Sequence, residues 1–288
     1  MMLRMMAKMT TTAIMTQRRV NLRFLTILVL FLFLPFSGFS QLVNIEKQRK
    51  ELKDGWVGDV QLSFKITSNT SKIYSGNAGL DLQYTHSNNV FLLLSDLTAM
   101  RIYKDDSPYD LINKNFEHFR YNYLFPDVKF LTYEAFVQHQ QNKIKYQKLR
   151  FLAGTGLRFR LINGQKVKYY FAPLLMYEYE VLSDSAQTLT QTLKGDLYHS
   201  LTIKFGKAIY LSHVTYYQPA ILNLGGTKEY RPFVDFRLST ETSLTFVVID
   251  DKLEISTDFN LSYDSNPPQE LRDKPLFYSL SNKLRVKF

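Results

Sequence analysis

From Trp56 to Phe288 the chain alternates apolar and polar residues with a period of two, in runs of about 11–20 residues. That period sends successive side chains to opposite faces of an extended strand, so each run has one greasy and one wet side. The runs exceed the usual strand length of about 5–6 residues in soluble sheets and match tilted strands that cross a bilayer. The first run, about 56–68, sets Trp56, Val60, Leu62, Phe64 and Ile66 against Asp59, Gln61, Ser63, Lys65 and Thr67. The fourth, about 115–125, sets Phe119, Tyr121, Tyr123 and Phe125 against His118, Arg120 and Asn122. The third, about 89–103, is apolar on both faces from Val90 to Leu94, which leaves its phase open.

Twelve such runs can be placed. Residues 230–249 count as one strand, because Val234, Phe236, Leu238, Leu244, Phe246 and Val248 keep a single phase that a turn would normally reset. Twelve is even, as a single-chain bacterial barrel requires. Connections after even-numbered strands are two or three residues long. Those after most odd-numbered strands are longer: 104–114, 142–147, 182–191, 219–229 and 265–275. Short turns on one side and long loops on the other are the pattern of an all-β, transmembrane, antiparallel up-and-down β-barrel.

Both ends of the chain fit that reading. The closing strand puts Tyr278, Leu280, Leu284, Val286 and Phe288 on one face, with Asn282 the polar break in the set. An aromatic last residue behind that alternation looks like the signal read by the barrel-insertion machinery. At the start, Arg18, Arg19 and Arg23 precede an apolar run from Leu25 to Leu34, then Pro35 and the small residues of Gly38-Phe39-Ser40. This is the layout of a secretory signal cut after Ser40, and the apolar run is too short to span a bilayer as a helix. Residues 1–40 are thus expected to be removed. Residues 41–55 form a polar periplasmic lead-in, short for a lumen plug, and residues 56–288 form the barrel in the outer membrane.

Composition narrows the chemistry. An aromatic share of 15% with a mean hydropathy of −0.20 suits aromatic girdles around a polar interior. The chain has no cysteine, which removes disulfides, thiolate zinc sites and cysteine nucleophiles. Half of the net charge of +10 sits in Arg4, Lys8, Arg18, Arg19 and Arg23, ahead of the expected cut. The remaining basic residues are spread thinly along the strands, which argues against nucleic acid as a partner.

No catalytic, metal or cofactor site emerges from the motifs. Of the five histidines, His86 and His199 have serine as an immediate neighbour, which points to the opposite face. His213 has Thr215 two places on, in the phase expected to face lipid or the aromatic girdle. No His-x-His or Glu-x-x-His spacing occurs, so no metal is expected. Asp264 and Asp235 are available for an acid pair at a loop mouth, but carboxylates that line a lumen are the favoured account of both. Gly154-Thr155-Gly156 lacks the following Lys and Ser of a phosphate loop, and its mid-strand place suggests room for bulky side chains across the lumen.

The richest pattern is the inward charge. Glu134, Arg150, Arg158, Arg160, Glu178 and Glu180 lie on three neighbouring strands, with Arg237, Glu241, Glu254 and Asp258 on the tenth and eleventh. Charges inside a narrow barrel must be paired or hydrated. Two readings follow: a ladder that fills and stiffens the interior, or a narrow polar pore. If Arg150 and Glu178 are partners, exchanging them should restore folding that either single reversal damages.

Tyr263-Asp264-Ser265-Asn266-Pro267-Pro268 in the last loop resembles the hallmark of the salt-induced outer-membrane protein family, which is defined by a domain of unknown function. The stretches 118–123, 133–136, 149–156, 176–180, 216–219 and 239–244 resemble it as well, and Val43-Asn44-Ile45-Glu46 with Gly55-Trp56 resembles versions from Bacteroidetes-type bacteria. The resemblance implies an outer-membrane barrel of a Gram-negative cell, with membrane lipid and the insertion machinery as partners. It implies no reaction, so no catalytic residues carry over. The expected role is structural, or that of a narrow passive pore for ions and small solutes, linked to osmotic stress by the family name. A lipid or lipopolysaccharide hydrolase is the alternative.

Overall fold

In a computed structural model, residues 49, 52–68, 72–104, 107–249, 252–273 and 275–287 are described. The expected signal segment, most of the lead-in and Phe288 lie outside them. The strands are β1 (Gly55–Ser68), β2 (Lys72–His86), β3 (Asn89–Lys104), β4 (Ser107–Leu124), β5 (Leu131–Asn142) and β6 (Gln147–Asn163). The chain continues through β7 (Val167–Leu182), β8 (Leu189–Lys204), β9 (Ile209–Gly226), β10 (Phe236–Ile249), β11 (Leu253–Asp264) and β12 (Leu276–Lys287). Each pairs antiparallel with its neighbours in sequence, and β1 meets β12 to close the barrel.

The near end, where β1 begins, carries the connections 87–88, 125–130, 164–166, 205–208 and 250–252. The far end carries 69–71, 105–106, 143–146, 183–188, 227–235 and 265–275. Several expectations change: β9 runs to Gly226 where a loop from 219 was expected, and the connections 125–130 and 205–208 are longer than the two or three residues expected after even-numbered strands. The loop expected at 104–114 is mostly strand, since β3 runs to Lys104 and β4 starts at Ser107. The tenth strand starts at Phe236, not 230. Asp235 accepts from the backbone N–H of Arg231 at 2.8 Å and from its guanidinium, and Phe233 takes φ 59°, so 231–235 close into a turn. Val234 kept the strand's phase by chance and is 54% exposed.

The outer wall is apolar: Trp56, Leu62, Phe64, Leu161, Leu222, Tyr278, Leu284 and Val286 are all exposed. Trp56, Tyr84, Phe91, Tyr121 and Tyr133 follow one another around the near end with ring centroids 4.7–6.5 Å apart. An exposed apolar surface edged by such a band is what a bilayer covers.

The inner wall is less wet than alternation suggests. Val90, Leu92 and Leu94 of β3 turn inward, which fixes the phase left open by the sequence. Leu92 and Leu94 pack with Phe116. Phe136, Leu152, Ala172, Leu174, Met176, Tyr198, Val214 and Tyr216 form a second buried cluster. The two mid-strand glycines of β6 make this packing possible. A Cβ at Gly154 would sit 2.5 Å from the Phe136 ring, and one at Gly156 would sit 2.6 Å from Leu174 Cδ2. Both approaches are impossible for real atoms, so neither aromatic nor leucine could hold its place against a larger residue.

Closure is uneven. The β1–β2 ladder runs the whole length of β1, from Gly55↔Thr85 to Ser68↔Lys72. Among the described residues, β1 and β12 pair at Asp59↔Lys287 and Val60↔Val286. On the lumen side Arg285 of β12 reaches Asp59 at 3.6 Å and Asp81 at 3.7 Å, and Gln61 donates to both carboxylates.

Candidate functional site

Apart from the Arg285, Asp59 and Asp81 group at the closure, two clusters of buried charge in the lumen are joined by a file of hydrogen bonds among the described residues. The near cluster centres on Glu134 of β5, which is fully buried. Strand pairing sets Glu134 opposite Asn122 and places Arg120 one step along β4. Arg120 Nη1 donates to Glu134 Oε2 at 2.9 Å and the Tyr198 hydroxyl donates to the same oxygen at 2.7 Å. Arg158 Nε lies 3.8 Å away, and Arg49 of the lead-in pairs with the other oxygen. Asn122, with its amide turned to suit its neighbours, donates to Glu134 at 3.0 Å and accepts from Arg49 at 3.2 Å. Arg120 also sits over the Phe136 and Tyr198 rings, and Arg158 over Tyr170 at 3.5 Å.

The far cluster centres on a cation. Arg237 of β10 donates to Asp264 at 2.7 Å, Glu178 at 3.0 Å and Glu180 at 2.6 Å. Glu178 also takes Arg150 Nε at 2.7 Å and Lys194 Nζ at 2.6 Å. Burial pushes the phenol of Tyr230, in the 227–235 loop, well above its usual range, so its hydroxyl stays protonated beside Arg237.

Between them runs a continuous chain. Arg120 Nε donates to His118 Nε2 at 3.2 Å, so His118 carries its proton on Nδ1 and gives it to Gln138 at 3.0 Å. Gln138 donates to Gln140, Gln140 to Gln147, and Gln147 to Glu180, over 2.9, 2.7 and 2.5 Å. Beside this file, in the far half, lies a cavity of about 110 Å³, room for several waters or one small solute.

The last loop roofs that cavity. Asp264 binds Arg237 and accepts from the Asn266 N–H, Ser265 exchanges hydrogen bonds with Phe236, and Asn266 Nδ2 donates to Asp235. Pro267 and Pro268 are buried against the cavity. Lys228 holds the carbonyl of Asn266 at 2.6 Å, and Glu270 accepts from the Ser185 N–H at 2.7 Å. The Asp-Ser-Asn-Pro-Pro stretch is therefore a latch across the far mouth.

Of the residues picked from the sequence, Glu134 and Arg158 come together in the near cluster, and Arg150, Glu178, Glu180 and Arg237 in the far one. Arg160 joins neither: it sits at the near rim and donates to the backbone carbonyl of Lys129. Glu241, Glu254 and Asp258 line the lumen, with Tyr210 on Glu254 at 3.1 Å and Ser243 on Asp258 at 2.6 Å, away from Arg237. Sequence reasoning left out Arg49, Lys194 and the pairing role of Arg120. The inward phase of the fourth strand was the signal for Arg120. Tyr278, Leu284 and Val286 of the closing strand face outward, and Leu280 shares their side.

His213 is on the outer wall, with Nδ1 2.9 Å from Thr242 Oγ1 and Nε2 3.0 Å from Thr215 Oγ1. Thr215 is shared with Thr240 at 3.1 Å. The arrangement satisfies polar groups on an apolar face; its third member is a neutral hydroxyl, not a carboxylate that would raise the basicity of the imidazole.

An outer membrane channel from Pseudomonas putida F1 superposes with a TM-score of 0.52 at 11% identity, over 83% of this chain and 97% of that one. The NanC porin gives a TM-score of 0.44 at 9% identity, over 80% and 98%. No curated protein matches the chain. The family model described as protein of unknown function, DUF481, matches residues 60–281, and the chain belongs to that family.

Proposed function

We propose that the mature chain sits in the outer membrane with its near end in the periplasm, and serves as a narrow passage for small polar solutes that is shut in the state described. On this reading residues 1–40 are an export signal cut after Ser40, and the closing strand addresses the chain to the insertion machinery. The observation that carries it is the unbroken file of charged and amide side chains from Glu134 to Asp264. A purely structural barrel could fill its interior with the apolar packing seen around Phe136. A polar file through that packing costs desolvation, and it supplies replacement hydrogen bonds for a solute that sheds water.

Conductance of the refolded barrel in planar bilayers tests this. Small discrete steps are expected, and Arg237→Ser, which frees the latch, should enlarge them. Silence from both proteins would mean a structural barrel. The hydrolase alternative would show as cleavage of phospholipid or lipopolysaccharide by the same preparation, and none is expected.

A further inference from the structure

The far cavity is lined by seven acidic, lysine or arginine side chains, and five of them have a partner of opposite sign: Arg120 with Glu134, Arg150 with Glu178, and Arg237 with Glu180 and Asp264. The other two do not. Asp196 of β8 is 2% exposed and accepts from the Gln218 amide at 3.0 Å; among the described residues no cationic nitrogen lies within ion-pair distance. Lys145, in the 143–146 connection, donates to the Ser262 hydroxyl at 3.2 Å and stands over the Phe277 ring at 5.2 Å, with no carboxylate in reach among the described residues.

From this pair we infer that the cavity is a binding site for a small zwitterion, its cationic end at Asp196 and its carboxylate at Lys145. A buried carboxylate with no cation in contact is costly, and this one, with Arg120 and Arg150 acting on it only from a distance, lines a cavity that also presents the rings of Phe116, Phe136 and Tyr216. Aromatic faces beside a carboxylate suit an alkylated ammonium. At the other end, Lys145 feels Arg237 and Arg150 as well as Asp264 and Glu180. Burial, with those two guanidiniums adding to it, pushes the ammonium down to about 8, the state of a cation short of a counter-ion. A lone anion would meet Asp196, Glu180 and Asp264; a lone cation would meet Lys145, Arg150 and Arg237. A solute with both charges meets neither penalty.

The inference rests on the reading of the lumen as a passage, and calorimetry separates the two. Glycine betaine, acetate, tetramethylammonium and glycerol are titrated into the refolded full-length barrel. Betaine should bind about tenfold or more tighter than acetate or tetramethylammonium, the scale of one charge-assisted contact, and glycerol should not bind. Asp196→Asn should reduce betaine to the level of acetate, and Lys145→Gln should reduce it to the level of tetramethylammonium. Acetate or tetramethylammonium binding as tightly as betaine, or no binding of any, overturns the site. The wild-type comparison decides even if a variant fails to fold. A barrel that conducts without binding betaine loses the site and keeps the passage; one that binds betaine but stays silent loses the passage and keeps the site.

Discussion

The two charge clusters are built in opposite senses. At the near end one carboxylate, Glu134, is held by guanidiniums from β4, β6 and the lead-in and sits among aromatic rings. At the far end one guanidinium, Arg237, gathers carboxylates from β7 and β11 and sits beside a cavity roofed by a loop. Glu134 is fully buried, whereas Arg237 is 13% exposed and its ligands include the latch. The difference separates a packed plug from a loop tied by a charge: removing the near centre is expected to strand cations in an apolar setting, and removing the far one to untie a loop.

Glu134→Gln should have the largest effect, about 3–5 kcal/mol of stability, because it leaves buried guanidiniums without their anion. Urea unfolding followed by circular dichroism reads it. Arg237→Gln should cost less, about 2–3 kcal/mol, and should raise proteolysis of the 265–275 loop while Glu134→Gln does not. Equal losses with no change at the loop would break the comparison. Gly154→Ala should cost about 1–3 kcal/mol by overpacking Phe136, and adding Phe136→Leu should recover part of it. Exchanging Arg150 and Glu178 should rescue only part of either single reversal, since Lys194 and Arg237 also hold Glu178 and would face the new arginine. Full rescue would show that the far cluster is a simple pair.

The smallest effect is pH-linked. Burial raises the Asp235 carboxyl, but hydrogen bonds from Arg231 and Asn266 outweigh it and hold the group below its usual value. Its contribution is therefore present above the unfolded-state value near 4 and is lost as pH falls through the lower folded value. Arg231 is 72% exposed, so the change should be slight. Acid titration of wild type against Asp235→Asn reads it, and a gain in stability on acidification would contradict the sign.

The wall could be read from the sequence because a period of two survives almost any neighbour. Where both phases were apolar, as at Val90–Leu94, the pattern was silent and packing against Phe116 decided. Charge partners were harder to read. Arg150 and Glu178 lie on adjacent strands, but Lys194 reaches Glu178 only through the β7–β8 register, which sets Glu178 opposite Thr192. Arg237 meets Glu178 and Glu180 across the lumen, and no local spacing encodes that distance. Turn 231–235 hid inside an unbroken parity, and Arg49 had no strand pattern to reveal it.

Among the described residues the ladder between β1 and β12 is short, and that has a mechanical consequence. A cylinder loaded from within splits along the line with the fewest fasteners, and here that line runs from Val60 and Val286 toward the far end. Amide protons on the first and last strands that point at one another across that line should be the quickest in the wall to exchange with deuterium. Any bulky cargo forced through the centre would widen the molecule there before it strained another strand pair.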